Sequence, residues 1–161
     1  MLDPEGIACV LESREARFDL RNGTIDKAAI GLPADGYAPD VRSRDGLIHL
    51  EILGPEGVLE ASTDRIRFFT TDNVAAVSAI TFFLVADTPA EFFALLEEGS
   101  DAYGIDRDSV DRWIESVDSE PNAVSDFAFA PGTALGMNVS YDVRYDESAS
   151  TQVAIVEVYP L

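Results

Sequence analysis

The chain holds one cysteine, one histidine and one lysine in 161 residues. Each scarcity excludes something. Cys9 alone forms no internal disulfide. Its place in the apolar run 7–11 reads as a buried, inert thiol. His49 is the only imidazole, so nucleophilic catalysis has a single base to draw on, and no serine stands in a nucleophile-like context. The glycine-rich phosphate loop, G-x-G-x-x-G after a strand and G-x-S-x-G are all missing. Lys27 and ten arginines face thirty carboxylates, for a net charge of −19. The sequence shows no run of bases with which to displace counterions from a nucleic acid, and an anionic membrane surface repels such a chain. The longest apolar run, 74–86, is broken by Ser78 and Thr81 and falls short of a membrane span. Asp3, Pro4 and Glu5 follow the first methionine almost at once, unlike a secretory leader. The expectation is a protein that stays in the cytoplasm or is assembled into a particle inside the cell.

What is present describes a folded domain. Apolar residues make up 47% of the chain, too many at this charge for a disordered polymer. Residues 1–161 read as one domain, long enough to bury a core without disulfides or metals. Abundant Asp with almost no Lys fits a halophilic protein, whose self-repulsion is screened by concentrated salt. An acidic surface on a mesophilic protein and a surface built for a basic partner are the other readings.

The patterning predicts α+β: a mostly antiparallel sheet or barrel of about seven or eight strands with two inserted helices. Residues 7–11 and 16–20 suit a first hairpin, with Asn22-Gly23 a turn after it. Residues 24–45, rich in Gly, Pro and Asp, read as a long surface excursion with a turn of helix near 25–30. In 47–53, Ile48, Leu50 and Ile52 share one face while His49 and Glu51 share the other. Residues 54–57 turn the chain into a short strand at 58–61. Strands at 65–70 and 79–86 follow, the second apolar enough to be covered on both faces. Thr88-Pro89-Ala90-Glu91 is a capping box with proline in the first turn, predicting a helix over about 89–98 that Gly99 stops. Asp106 opens a second helix, about 107–117, with Val110, Trp113, Ile114 and Val117 on one face. Strands at 124–130, 136–145 and 151–160 close the chain.

Candidate chemistry is thin. His49 and Glu51 offer two metal ligands on one strand face, short of a zinc site. Asp101, Asp106, Asp108 and Asp111 lack calcium-loop spacing and suit a helix cap and first turn better. Phe68, Phe69, Phe82, Phe83, Phe92 and Phe93 read as core. Tyr37, Tyr103 and Tyr159 are candidate interface aromatics. No catalytic, cofactor-binding or metal-binding residue is assigned, and no cofactor is expected.

One resemblance accompanies this reading. Ile66-Arg67-Phe68-Phe69-Thr70-Thr71-Asp72, then Ile80-Thr81-Phe82-Phe83-Leu84-Val85-Ala86-Asp87, then Glu91-Phe92-Phe93 resemble successive elements of haem catalases and catalase-related proteins. In that family a V-K-F-Y-T-x-D-G strand precedes P-V-F-F-x-x-R-D-P and a helix. The segment 5–10 is similar to the family's first barrel strand, and 137–145 with 152–160 to its closing strands. The resemblance implies a β-barrel with inserted helices. It does not carry the haem chemistry: Asp3 stands where the family has its distal histidine, Ser78 near its distal asparagine, and the proximal tyrosine has no counterpart.

The function expected is non-enzymatic: an interaction or structural protein of a halophilic system, a subunit of a larger assembly such as a viral particle, associating with itself or with a protein partner. The alternatives are a small-ligand or haem-binding catalase-like barrel, with a cavity at Phe82 and Phe83, and an acidic inhibitor or mimic that docks on a basic partner.

Overall fold

The computed structural model describes residues 14–23, 25–26, 40–70, 76–148 and 151–161. Strands β1 (Glu15–Asp19), β4 (Ile48–Gly54) and β5 (Gly57–Thr63) form a small sheet in the order β1-β4-β5. A larger sheet has the order β3-β6-β7-β10-β9-β8. Its members are β3 (Val41–Arg42), β6 (Arg65–Thr70), β7 (Ala76–Ala86), β8 (Val124–Ala128), β9 (Met137–Asp146) and β10 (Thr151–Pro160). The short β2 (Ile25–Asp26) pairs with the start of β7. Helices α1 (Pro89–Tyr103) and α2 (Arg107–Asp118) lie between β7 and β8 in the chain.

The α+β class and the antiparallel character are as the patterning predicts. The barrel is not: both sheets are open. Their inner faces pack together over part of the large sheet, where Phe18 of β1 meets Phe68 of β6 edge-on at 5.2 Å. The helices cover the rest, where Trp113 sits 5.4 Å from Tyr145 and 6.0 Å from Phe92. Ile48, Leu50, Ile52, Ile66, Phe82, Phe92, Leu96, Val139, Val143 and Val156 are the buried centre.

One passage between the two sheets takes a single residue. The chain leaves the small sheet at Thr63 and enters the large one at Arg65. The buried Thr63 hydroxyl donates to the Phe83 carbonyl at 2.8 Å and accepts from the Phe83 amide at 3.3 Å. It supplies the ladder partner that β7 lacks once β6 has ended, and so satisfies a backbone pair that would otherwise be buried unmet.

Several expectations change. β1 pairs in parallel with β4, Ala16 opposite Leu50; the expected hairpin partner, 7–11, lies outside the described residues. The turn at 20–23 is present, with the Gly23 amide donating to the Leu20 carbonyl at 3.0 Å. Within the 24–45 excursion, 25–26 and 41–42 are strand: Ile25 pairs with Val77 and Val41 with Ile66. Residues 24 and 27–39, Tyr37 among them, lie outside the described residues. β7 is covered on both faces at 79–82 and not beyond: Val85 on the outer face is 59% exposed.

The largest correction is in α1. The capping residues behave as read: Thr88 Oγ1 accepts from the Glu91 amide at 3.2 Å. Gly99 does not end the helix. It is buried against Tyr141, and a Cβ there would sit 2.8 Å from the ring. The stop is Gly104, in the left-handed conformation at φ 81°, whose amide donates to the Ser100 carbonyl. Gly99 is therefore a close-approach glycine, and the helix runs one turn further than predicted.

Candidate functional site

Among the described residues β5 is an edge strand of the small sheet, and α1 runs beside it. Between them lies a cleft of about 670 Å³. Its floor is apolar: Ala61 of β5, Leu84 of β7, Leu95 of α1 and the ring of Tyr141 from β9. Its rim is acidic: Glu60, Glu98 and Asp101. The extra turn of α1 creates much of this wall, since Asp101, Ala102 and Tyr103 all follow Gly99. The missing side chain at Gly99 lets Tyr141 lie against the helix.

Charge in the cleft is only partly compensated. Asp101 meets Arg107 at 3.4 Å, but Glu60 and Glu98 form no ion pair among the described residues. Their field reaches the two phenols. Burial pushes the Tyr103 hydroxyl up from its ordinary pKa, and Glu98 and Glu60 push it further. Burial also raises Tyr141, with Tyr103 and Glu98 adding to it. Both phenols thus stay protonated through the physiological range. Tyr103 Oη spans the cleft to the Glu60 carbonyl at 3.4 Å, a long contact to the exposed edge of β5. An apolar floor, protonated phenols and unpaired carboxylates suit a cationic group on an apolar or aromatic stem.

His49 and Glu51 do share the outer face of β4, as the alternation predicts. The fold adds a third residue. Glu60 stands directly opposite Glu51 across the β4–β5 rung. Ligand atoms of His49, Glu51 and Glu60 lie within 4.8 Å of one another. Like charges on one rung repel, and Arg17 answers one of them through Glu51 at 3.3 Å. One imidazole and two carboxylates are a donor set that divalent zinc or manganese accepts. Glu60 was within reach of the sequence: counting outward from the turn pair Gly54 and Gly57 places it opposite Glu51.

The second acidic group is structural, as read. Asp106 caps α2 by accepting from the Ser109 amide at 2.9 Å. The hydrogen bonds from Ser109, side chain first and then backbone, hold its carboxyl below the ordinary value. Arg107 draws Asp101 and Asp111 to itself, at 3.4 and 3.0 Å. Among the candidate aromatics, Phe68, Phe82 and Phe92 are core, Phe93 packs at its margin, and Phe69 is 60% exposed. Phe82 and Phe83 face opposite sides of β7, so they do not line one cavity. Tyr103 is in the cleft, and Tyr159 is half-buried. No protein-family model, curated protein or solved structure matches the chain. Among the described residues, no helix is long and apolar enough to cross a membrane.

Proposed function

We propose that this is a non-enzymatic interaction protein, a subunit of a larger assembly in a salt-rich cell such as a particle of a halophilic host. We further propose that the cleft between β5 and α1 receives a basic segment of its protein partner. The observation that carries this reading is the pair Glu60 and Glu98, two carboxylates without a cation on the rim of an apolar cleft. A guanidinium or ammonium entering there gains both ion pairs, while its aliphatic stem covers Leu84 and Leu95. The expected −19 charge adds long-range attraction for a basic partner at low salt.

The test is fluorescence anisotropy of a labelled Arg-rich peptide against an Asp-rich peptide of equal length. The basic peptide is expected to bind saturably and more weakly as salt rises, with little binding of the acidic one. Glu60→Gln and Glu98→Gln should each weaken binding about 2- to 5-fold, the scale of a part-exposed ion pair. Equal binding of both peptides, or variants without effect, would remove the cleft from the reading. A Soret band on haem addition to the same sample would instead favour the catalase-like ligand-binding alternative.

A further inference from the structure

The reverse face of β7 carries the opposite charge. Arg42, Arg44, Arg65 and Arg67 are four of the chain's eleven cationic residues. The pairing of β3 with β6 brings them together at the end of the large sheet. Asp40 alone serves three of them, at 2.6 Å to Arg65, 3.1 Å to Arg67 and 3.9 Å to Arg42. Arg44 is exposed and has no ion pair among the described residues. The buried Nε of Arg65 has no hydrogen-bond partner among the described residues. Asp64 also lines the groove, so among the described residues four arginines face Asp40 and Asp64, and positive charge remains in excess here on a molecule of net charge −19. The guanidinium of Arg65 lies 4.8 Å over the Phe83 ring. Phe83, Val85 and Val153 form the apolar floor of a groove of about 380 Å³ beside these arginines.

This groove's arginines complement the acidic cleft in charge, cation against carboxylate, and their aliphatic stems suit its apolar floor. We propose that a second copy of this chain is the basic partner: the arginine groove of one copy docks in the acidic cleft of the next. The proposal rests on the cleft being the docking site argued above. Alternation along β7 fixes the geometry. Leu84 lines the cleft, while Phe83 and Val85 line the groove, so the two surfaces face opposite ways. Two different patches on opposite faces do not satisfy each other in one two-fold pair. They join head to tail, each copy leaving one patch open for the next, which yields a ring or a filament. Molar salt shortens the screening length to about 3 Å. That removes the long-range repulsion between acidic copies and leaves contact pairs and apolar floors to act.

Size exclusion with light scattering in molar KCl tests this, on the wild type, Arg44→Glu and Glu98→Arg. Both residues are exposed, and circular dichroism checks that the variants fold. The wild type is expected to associate beyond a dimer as concentration rises. Each variant alone should run at the 17.4 kDa of one chain. Arg44→Glu keeps its cleft and Glu98→Arg keeps its groove, and the two reversed charges also complement each other, so an equimolar mixture should associate again, to twice the 17.4 kDa chain mass or beyond. A wild type that stays monomeric, variants that associate like the wild type, or a mixture that does not pair would each overturn the proposal. The Arg-rich peptide is then added to the wild type. If the wild type is monomeric and still binds it, the cleft reading stands and only the second copy falls. If it binds none, both fall.

Discussion

At the residue scale, Thr63 shows how one hydroxyl decides an architecture. Its oxygen bonds both the amide and the carbonyl of Phe83, at 3.3 and 2.8 Å, where the chain passes between sheets. Thr63→Val keeps the shape and removes these bonds, together with its contacts to the Arg65 carbonyl and amide at 3.0 and 3.2 Å, leaving a backbone pair unmet. Such groups cost about 1–3 kcal/mol. Urea denaturation should show that loss, with the m-value unchanged; a variant as stable as the wild type would mean that water replaces the hydroxyl. Nothing in the sequence around Thr63 marks this role, because it depends on a residue twenty positions away. Gly99 teaches the same lesson. A glycine after a run of helix formers reads as a stop, yet here the ring of Tyr141 needs the space. Glu60 is the contrasting case, since hairpin register alone puts it opposite Glu51.

At the element scale, the helices were legible and the sheet partners were not. The first turn of α1 is written locally: Thr88 accepts from the Glu91 amide, Pro89 needs no partner, and the Glu91 carboxylate accepts from the Asp87 amide at 3.2 Å. Thr88→Ala should therefore destabilise by about 1 kcal/mol. A thermal melt would register this as a lower midpoint, and an unchanged one would show that tertiary packing alone holds the turn. α2 likewise follows its apolar spacing, burying Val110, Trp113 and Val117. Strand pairing carries no comparable local mark. Alternation identifies β1 as a half-buried strand, with Ala16 and Phe18 inward. It does not say that the partner is β4, in parallel, some thirty residues on. A parallel neighbour is chosen by the core it completes, here the contact of Phe18 with Phe68.

At the scale of the whole molecule, charge sets the response to pH and salt. Asp19 is held at about 2 by its hydrogen bonds from the Arg21 side chain and backbone. Asp40 is partly buried, which opposes ionisation, but the hydrogen bonds from Arg65 and Arg67 prevail and lower it. Asp106 is lowered by Ser109. A carboxyl depressed in the folded state stabilises it above the unfolded value, about 4. That contribution is lost as pH falls through the folded value, so these three groups predict weakening below about pH 4 and most of it by about pH 2. Net charge works the other way: between neutrality and about pH 4, protonation of carboxylates relieves repulsion among thirty acids. In dilute buffer the melting temperature should thus rise as pH falls from 7, peak near about pH 4–5, and then drop. Molar KCl should flatten the rising limb, because screening has already removed the repulsion. A melting temperature insensitive to salt at pH 7 would contradict the account.

Composition and patterning by themselves determined the acidity, the α+β class and the scarcity of imidazole and thiol, because these depend on which residues are present and on periodicities of two and 3.6. The caps of both helices were local and equally legible. Only the tertiary structure opened the barrel into two sheets, extended α1 past Gly99, and set Glu60 and Glu98 around one cleft. Only the pairing of β3 with β6 gathered four arginines that the sequence scatters through an acidic chain. Such contacts join residues far apart along the chain, and their free energy comes from a shared core rather than from any local pattern.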